Sequence, residues 1–175
     1  MSVLAHSGNP IGDIAVDPTS GTLIATHPRN CTVSILDADD PDAAAAIQLD
    51  GDPVAVAVAV GRAFVVTTSA SYDAVGVLDM NSTIVVSVHP LAFTVTGIAV
   101  SADGARVFAA RTGRLGSDVA VLCALNERVF ESITVDARPS CVAVSSGVGR
   151  LYIADHVRDV TVLPVATPML QAVAG

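Results

Sequence analysis

The 175-residue chain is 51% hydrophobic and only 15% charged, a balance that excludes a disordered tail and leaves enough apolar mass for a real core. The formal charge is −8 and every one of the 9 basic residues is Arg, with no basic run among them. That excludes the concentrated positive charge that nucleic-acid or anionic-membrane binding requires.

Aromatic residues make up 3% and Trp is absent, so the core must come from Val, Ile, Leu and Ala. The β-branched members of that set fit a pleated sheet better than a helix. Absent Lys beside abundant Ala, Val, Gly and Arg is the composition of a bacterial, GC-rich genome such as an actinobacterial one. Residues 1–10 lack the charged and apolar regions of a secretory leader. The densest apolar run, Val54–Val60, falls well short of the roughly 18 residues of a membrane span. A cytoplasmic protein without a membrane span is therefore expected.

In chain order, Ser2–His6 reads as an outer strand, and Ser7-Gly8-Asn9-Pro10 as a corner leading inward. Ile14-Ala15-Val16 is a first inner strand, followed by a turn of Asp, Pro, Ser and Gly at 17–21. Leu23-Ile24-Ala25 and Val33-Ser34-Ile35-Leu36 are the next two strands, and Ala46–Leu49 is an outer one. The series then repeats. Val56-Ala57-Val58, Ile98-Ala99-Val100 and Val142-Ala143-Val144 copy the inner strand. Their last residues, with Val16, are spaced 42, 42 and 44 apart. Ala63-Phe64-Val65, Val107-Phe108-Ala109 and Leu151-Tyr152-Ile153 copy the second strand. Val75–Leu78, Val119–Leu122 and Val160–Leu163 copy the third, and Ile84–Val88 and Ser132–Val135 the outer strand. In the second repeat Gly61-Arg62 is expected to make the first turn.

Three independent blocks that keep one period imply four antiparallel blades of ~42 residues, the size of a propeller blade. The expected fold class is all-β, a β-propeller of about four four-stranded blades. The blades span 11–53, 54–94, 95–139 and 140–175, with 2–6 a closure strand and Met169–Val173 the last outer strand. No segment has the 3.6-residue apolar period of a helical solenoid. Cys31, Cys123 and Cys141 have unrelated spacings and read as small buried hydrophobes. His6 and His89 are expected at strand ends, on the surface.

The sequence Pro-x-x-(Ile/Val)-Ala-Val, an Asp/Gly turn, Tyr152-Ile153-Ala154-Asp155 and Val160-Thr161-Val162-Leu163 resembles the YVTN-type β-propeller repeat. The resemblance covers nearly the whole chain. It implies the fold, and it leaves function open, because propellers similar to it include lactonases, redox-associated proteins and binding scaffolds. In this family such blades close in rings of six to eight. Four blades therefore imply a half-ring completed by a second copy into an eight-bladed homodimer, a piece of a longer propeller, or a tight ring closed within one monomer.

The candidate site lies on the face made by the connections between second and third strands. His27, Arg111, Asp155 and His156 fall at nearly equivalent positions there. Arg114 belongs to the longest of these loops, and Asp13 and Arg138 lie near the start of inner strands. Seven residues are thus weak candidates for ligand binding. No nucleophile elbow, phosphate loop or metal-ligand spacing is present, so no catalytic residue, metal or cofactor is assigned. The expected function is a non-catalytic binding or scaffold module with a protein or small-molecule ligand. The alternatives are a lactonase-like hydrolase, using His156, Asp155 and Arg111 at the channel mouth, and a sensor fragment of a larger protein.

Overall fold

A computed structural model describes residues 10–37, 40, 44–92, 94–124, 129–136, 138–145, 149–157 and 159–165. Four antiparallel sheets follow one another along the chain. The first holds β1 (Ile14–Val16), β2 (Leu23–His27), β3 (Thr32–Leu36) and β4 (Ala45–Gln48). The second holds β5 (Asp52–Ala59), β6 (Arg62–Thr68), β7 (Asp73–Asp79) and β8 (Ile84–Leu91). The third holds β9 (Thr94–Val100), β10 (Arg106–Thr112), β11 (Ser117–Cys123) and β12 (Val129–Val135). The fourth holds β13 (Pro139–Val144), β14 (Arg150–Asp155) and β15 (Val160–Pro164). The inner strands β1, β5, β9 and β13 contact one another in sequence, which sets the sheets side by side around a common centre. This is a partial β-propeller, as the repeat implied. The expected strands Ser2–His6 and Met169–Val173 lie outside the described residues.

The core sits between blades rather than within one sheet. The inner strands of the second, third and fourth blades send two side chains towards the preceding blade, while Ala15 of β1 and Ala99 of β9 face the following one. Val56 and Val58 pack with Ile24, Val33 and Ile35 of the first blade. Ile98 and Val100 pack with Phe64, Val66 and Val75 of the second. Val142 and Val144 pack with Phe108, Val119 and Val121 of the third. The middle strands of the second and third blades are therefore buried on both faces, and this explains their near-continuous apolar runs. Phe64 and Phe108 are fully buried, each contributing about 1.5–3 kcal/mol.

Three local expectations change. The turn in the second repeat is Val60-Gly61, with φ of 52° and 69°, and Arg62 already begins β6. Two consecutive positive φ values make the two-residue hairpin whose twist matches the flanking strands. His89 lies inside β8 opposite Val75, half-buried, with its Nε2 3.0 Å from the Ser87 hydroxyl. None of the cysteines is fully buried: Cys141 is exposed, and Cys31 and Cys123 are intermediate.

The two end blades differ from the middle ones. Ile14 and Val16 are 55% and 52% exposed, whereas Val56, at the position of Ile14, is 7% exposed. At the other end Val160 and Val162 are 58% and 46% exposed, while their counterparts Val75 and Val77 are 1% and 2%. The first blade thus presents the apolar face that elsewhere meets a preceding blade. The fourth presents the face that elsewhere meets a following one.

Candidate functional site

Register decides where the candidate side chains go. Ala25, Val65, Ala109 and Ile153 each pair with the first apolar residue of an inner strand. Two residues later on the same face come His27, Thr67, Arg111 and Asp155. The equivalence read from the repeat is therefore a shared place at the end of the second strand. That place faces the preceding blade.

At this place the side chains are tied into their own blades. His27 is 3% exposed, and its Nε2 lies 2.9 Å from the Ser34 hydroxyl on β3. Its Nδ1 is buried with no partner among the described residues. Arg111 is 8% exposed, and its Nε donates to Asp118 Oδ1 at 2.8 Å. Its Nη2 donates to Asp118 Oδ2, which also accepts from the Ser132 hydroxyl. Three neighbouring strands, β10, β11 and β12, are thereby joined by one polar ladder. Burial pushes the Asp118 carboxyl up, but the Arg111 and Ser132 hydrogen bonds outweigh it and hold the group below the usual carboxylate range. Asp155 Oδ1 accepts from the Val157 and Asp159 amides at 2.7 and 3.0 Å, which shapes the loop carrying the exposed His156.

Asp13 has a different task. Its Oδ1 accepts from the Ile14 amide at 2.9 Å, and its Oδ2 from the Val56 amide of the next blade at 2.9 Å. Two further aspartates, not singled out from the sequence, act the same way. Asp17 Oδ2 accepts from the Gly61 amide at 2.9 Å, and Asp73 Oδ2 from the Val95 amide at 2.9 Å. Each carboxylate joins one blade to the next. The only sequence signal for Asp13 and Asp17 was their place beside an inner strand, where an edge amide needs an acceptor, and Asp73, at the start of β7, carries no such signal.

Arg114 and Arg138 come together in a way the linear sequence hides. Both are exposed, and both line one open hollow of about 690 Å³. The hollow lies between the β10–β11 hairpin, the corner from β8 into β9 and the corner into β13. Ala92, Thr94, Thr112 and Leu115 complete its walls. The Thr112 hydroxyl is buried without a partner among the described residues. A second hollow of about 300 Å³ shares Ala92 and Thr94 and runs on to Ser69, Ser71 and Tyr72 in the β6–β7 hairpin. Together they form a shelf across two blades. Its Arg-bearing end has mainly apolar walls, and its other end carries hydroxyl groups. Among the described residues no three His, Cys, Asp or Glu side chains are grouped to hold a metal ion. No described helix is long and apolar enough to cross a membrane.

No family model matches the chain. It is 32% identical over 135 residues to the "Seven-bladed beta-propeller protein Rv1057" of Mycobacterium tuberculosis. That match covers 75% of this chain and 34% of the relative, so the chain spans about a third of the relative's length. Among solved structures it is similar to hydrazine synthase of Kuenenia stuttgartiensis, with a TM-score of 0.76 and 18% identity over 94% of this chain and 49% of that one. It is also similar to the β-propeller domain of Cps50 (Swd1) from Myceliophteria thermophila, with a TM-score of 0.71 and 12% identity over 94% and 54%. The computationally designed Ika4 protein matches with a TM-score of 0.73 and 11% identity over 94% of this chain and 96% of its own. These structural likenesses speak for the fold alone.

Proposed function

We propose that this chain is a non-catalytic binding module of the YVTN-type repeat and that its ligand rests on the shelf between the second and third blades. The observation that carries the reading is the convergence of Arg114 and Arg138, from separate connections of the chain, on one open hollow. A concave, mainly apolar surface with a few convergent polar groups is the ordinary form of a binding site. Of the other candidates, Arg111 supports the hairpin from below through Asp118, His27 and Asp155 hold their own blades, and Asp13 joins two blades. Amide NMR of the chain against a fragment library tests this reading. Shifts clustered on Thr94 and Thr112–Leu115 are expected. Shifts elsewhere, or lactone hydrolysis abolished by His156→Ala, would overturn it in favour of another site or a hydrolase.

We further propose that a second copy covers the exposed end faces. Ile14 and Val16 at one end and Val160 and Val162 at the other are the two halves of an interface that recurs between every pair of adjacent blades. Two copies of four blades each would supply an eight-membered ring about a two-fold axis. Light scattering is expected to give a mass near twice 17.7 kDa, falling to the monomer in Ile14→Glu. A monomeric wild-type chain sinks the dimer and favours further blades of the same polypeptide as the cover.

A further inference from the structure

The binding reading leaves open what the shelf takes, and its chemistry narrows the choice. Leu115, at the tip of the β10–β11 hairpin beside Arg114, is 99% exposed. Arg is among the residue types enriched where protein interfaces concentrate their binding energy, and Leu115 places an uncovered apolar side chain next to one. In a chain of net charge −8, two of the 9 arginines stand on this one surface. Each guanidinium presents paired N–H donors that match a carboxylate. The acidic group that also lines the shelf, Asp73, already accepts from the Val95 amide. The walls near the arginines are mainly apolar, and the shelf continues onto the hydroxyls of Ser69, Ser71 and Tyr72. An enclosed pocket would suit a small molecule, most of whose surface must be buried. This surface is open and elongated across two blades, which suits an extended chain.

Resting on that reading, we propose that the shelf receives an extended peptide in which carboxylate side chains alternate with apolar ones. In an extended chain successive side chains point to opposite sides. The carboxylates then meet Arg114 and Arg138 while the apolar side chains lie against Leu115 and Ala92. The hydroxyl end accepts the peptide's backbone polar groups.

The probe is a rhodamine-labelled hexapeptide of alternating Glu and Leu, read by fluorescence anisotropy, with a Gln/Leu hexapeptide as the neutral control. The Glu/Leu peptide is expected to bind saturably and about tenfold or more tighter than the control, and to weaken with added salt. Combining Arg114→Ala with Arg138→Ala is expected to remove at least about tenfold in affinity. Both residues are exposed, so circular dichroism should show an unchanged fold. Arg114→Lys should lose part of the affinity, because a Lys keeps the charge and loses the paired donors. Arg150→Ala, at the start of β14, should bind as wild type.

Equal binding of the two peptides, or no effect of the double substitution, overturns the inference. If both peptides bind equally and Leu115→Ser abolishes both, the shelf is a binding site and only the carboxylate preference falls. Shelf amides that respond to octanoate and to neither peptide also overturn the inference, in favour of a small-molecule ligand. If no probe shifts a shelf amide, the binding reading falls with it.

Discussion

Removing the Asp118 carboxylate takes the ion-pair partner from the Arg111 guanidinium in a nearly closed place, and the cost follows from the geometry. The two side chains are 9% and 14% exposed. Asp118 accepts from Arg111 Nε and Nη2 and from the Ser132 hydroxyl. Breaking a buried pair by deleting one partner costs about 3–5 kcal/mol. The partial exposure of Asp118 puts Asp118→Ala near the lower end, about 3 kcal/mol, or roughly 6–12 °C in melting temperature for a domain of this size. Replacing both residues, Arg111→Met with Asp118→Val, removes the charge that has lost its carboxylate and should recover about 2 kcal/mol of that loss. Urea unfolding at pH 7 of the wild type, Arg111→Met, Asp118→Val and the double variant closes the cycle, with Asp118→Ala measured beside them. The pH dependence has a definite sign. The Asp118 carboxyl is depressed in the folded state, so its contribution is full above the unfolded value of about 3.9 and is lost as pH falls through the folded value. A loss below about 1 kcal/mol in Asp118→Ala, or single effects that simply add, would refute the ladder as a support of the third blade.

Three other substitutions test how blades are built and joined. Val60 is 64% exposed and holds φ at 52°, a conformation that costs a β-branched residue about 1–2 kcal/mol. Val60→Asn should therefore stabilise the chain by about 1 kcal/mol, seen as a melting point roughly 2–4 °C higher; a lower one refutes the turn assignment. A Cβ on Gly97 would stand 3.0 Å from Cys141 Cα and 3.2 Å from the Val142 amide nitrogen of the next blade. Gly97→Ala should push the third and fourth blades apart at a cost of about 1–3 kcal/mol, measured by denaturant unfolding, and a neutral result means the blades are not in contact there. Asp17 is 2% exposed and accepts from the Thr19 and Gly61 amides, of which the Thr19 bond does most to hold its carboxyl low. Asp17→Asn should cost about 1–3 kcal/mol at neutral pH, with the gap to wild type closing as pH drops below about 4; a gap constant with pH contradicts the assignment.

The fold was legible because a propeller repeats its mistakes and its solutions at one spacing. Three blocks with a shared period revealed the blades, and the Ala between two β-branched residues proved, in Ala15 and Ala99, to be the side chain facing the following blade. Details that depend on one residue of register were harder to read. The turn at Val60-Gly61 differs by one position from Gly61-Arg62, because a Gly-Arg pair also reads as a turn. What decides is the demand for two positive φ values, which the sequence Val-Gly hides. The last outer strand at 169–173 and the strand at 2–6 lie outside the described residues.

The site shows the same limit more sharply. Parity along a strand was enough to place His27, Arg111 and Asp155, since each lies two residues after a core position and so shares its face. That signal was in the sequence and points towards the neighbouring blade. Partners such as Ser34 and Asp118 were legible in the same way once the strands were paired. Arg114 and Arg138 carry no such signal. They lie outside the strands, 24 positions apart, and only the angle between adjacent blades brings their loops to one hollow. Strand periodicity constrains what is inside a blade, and it is silent about which loops meet above it. A residue's candidacy for ligand binding in this fold therefore rests on two separate conditions: freedom from the strand ladder, and a neighbour supplied by another blade. Arg114 and Arg138 meet both, through positions that no local motif marks.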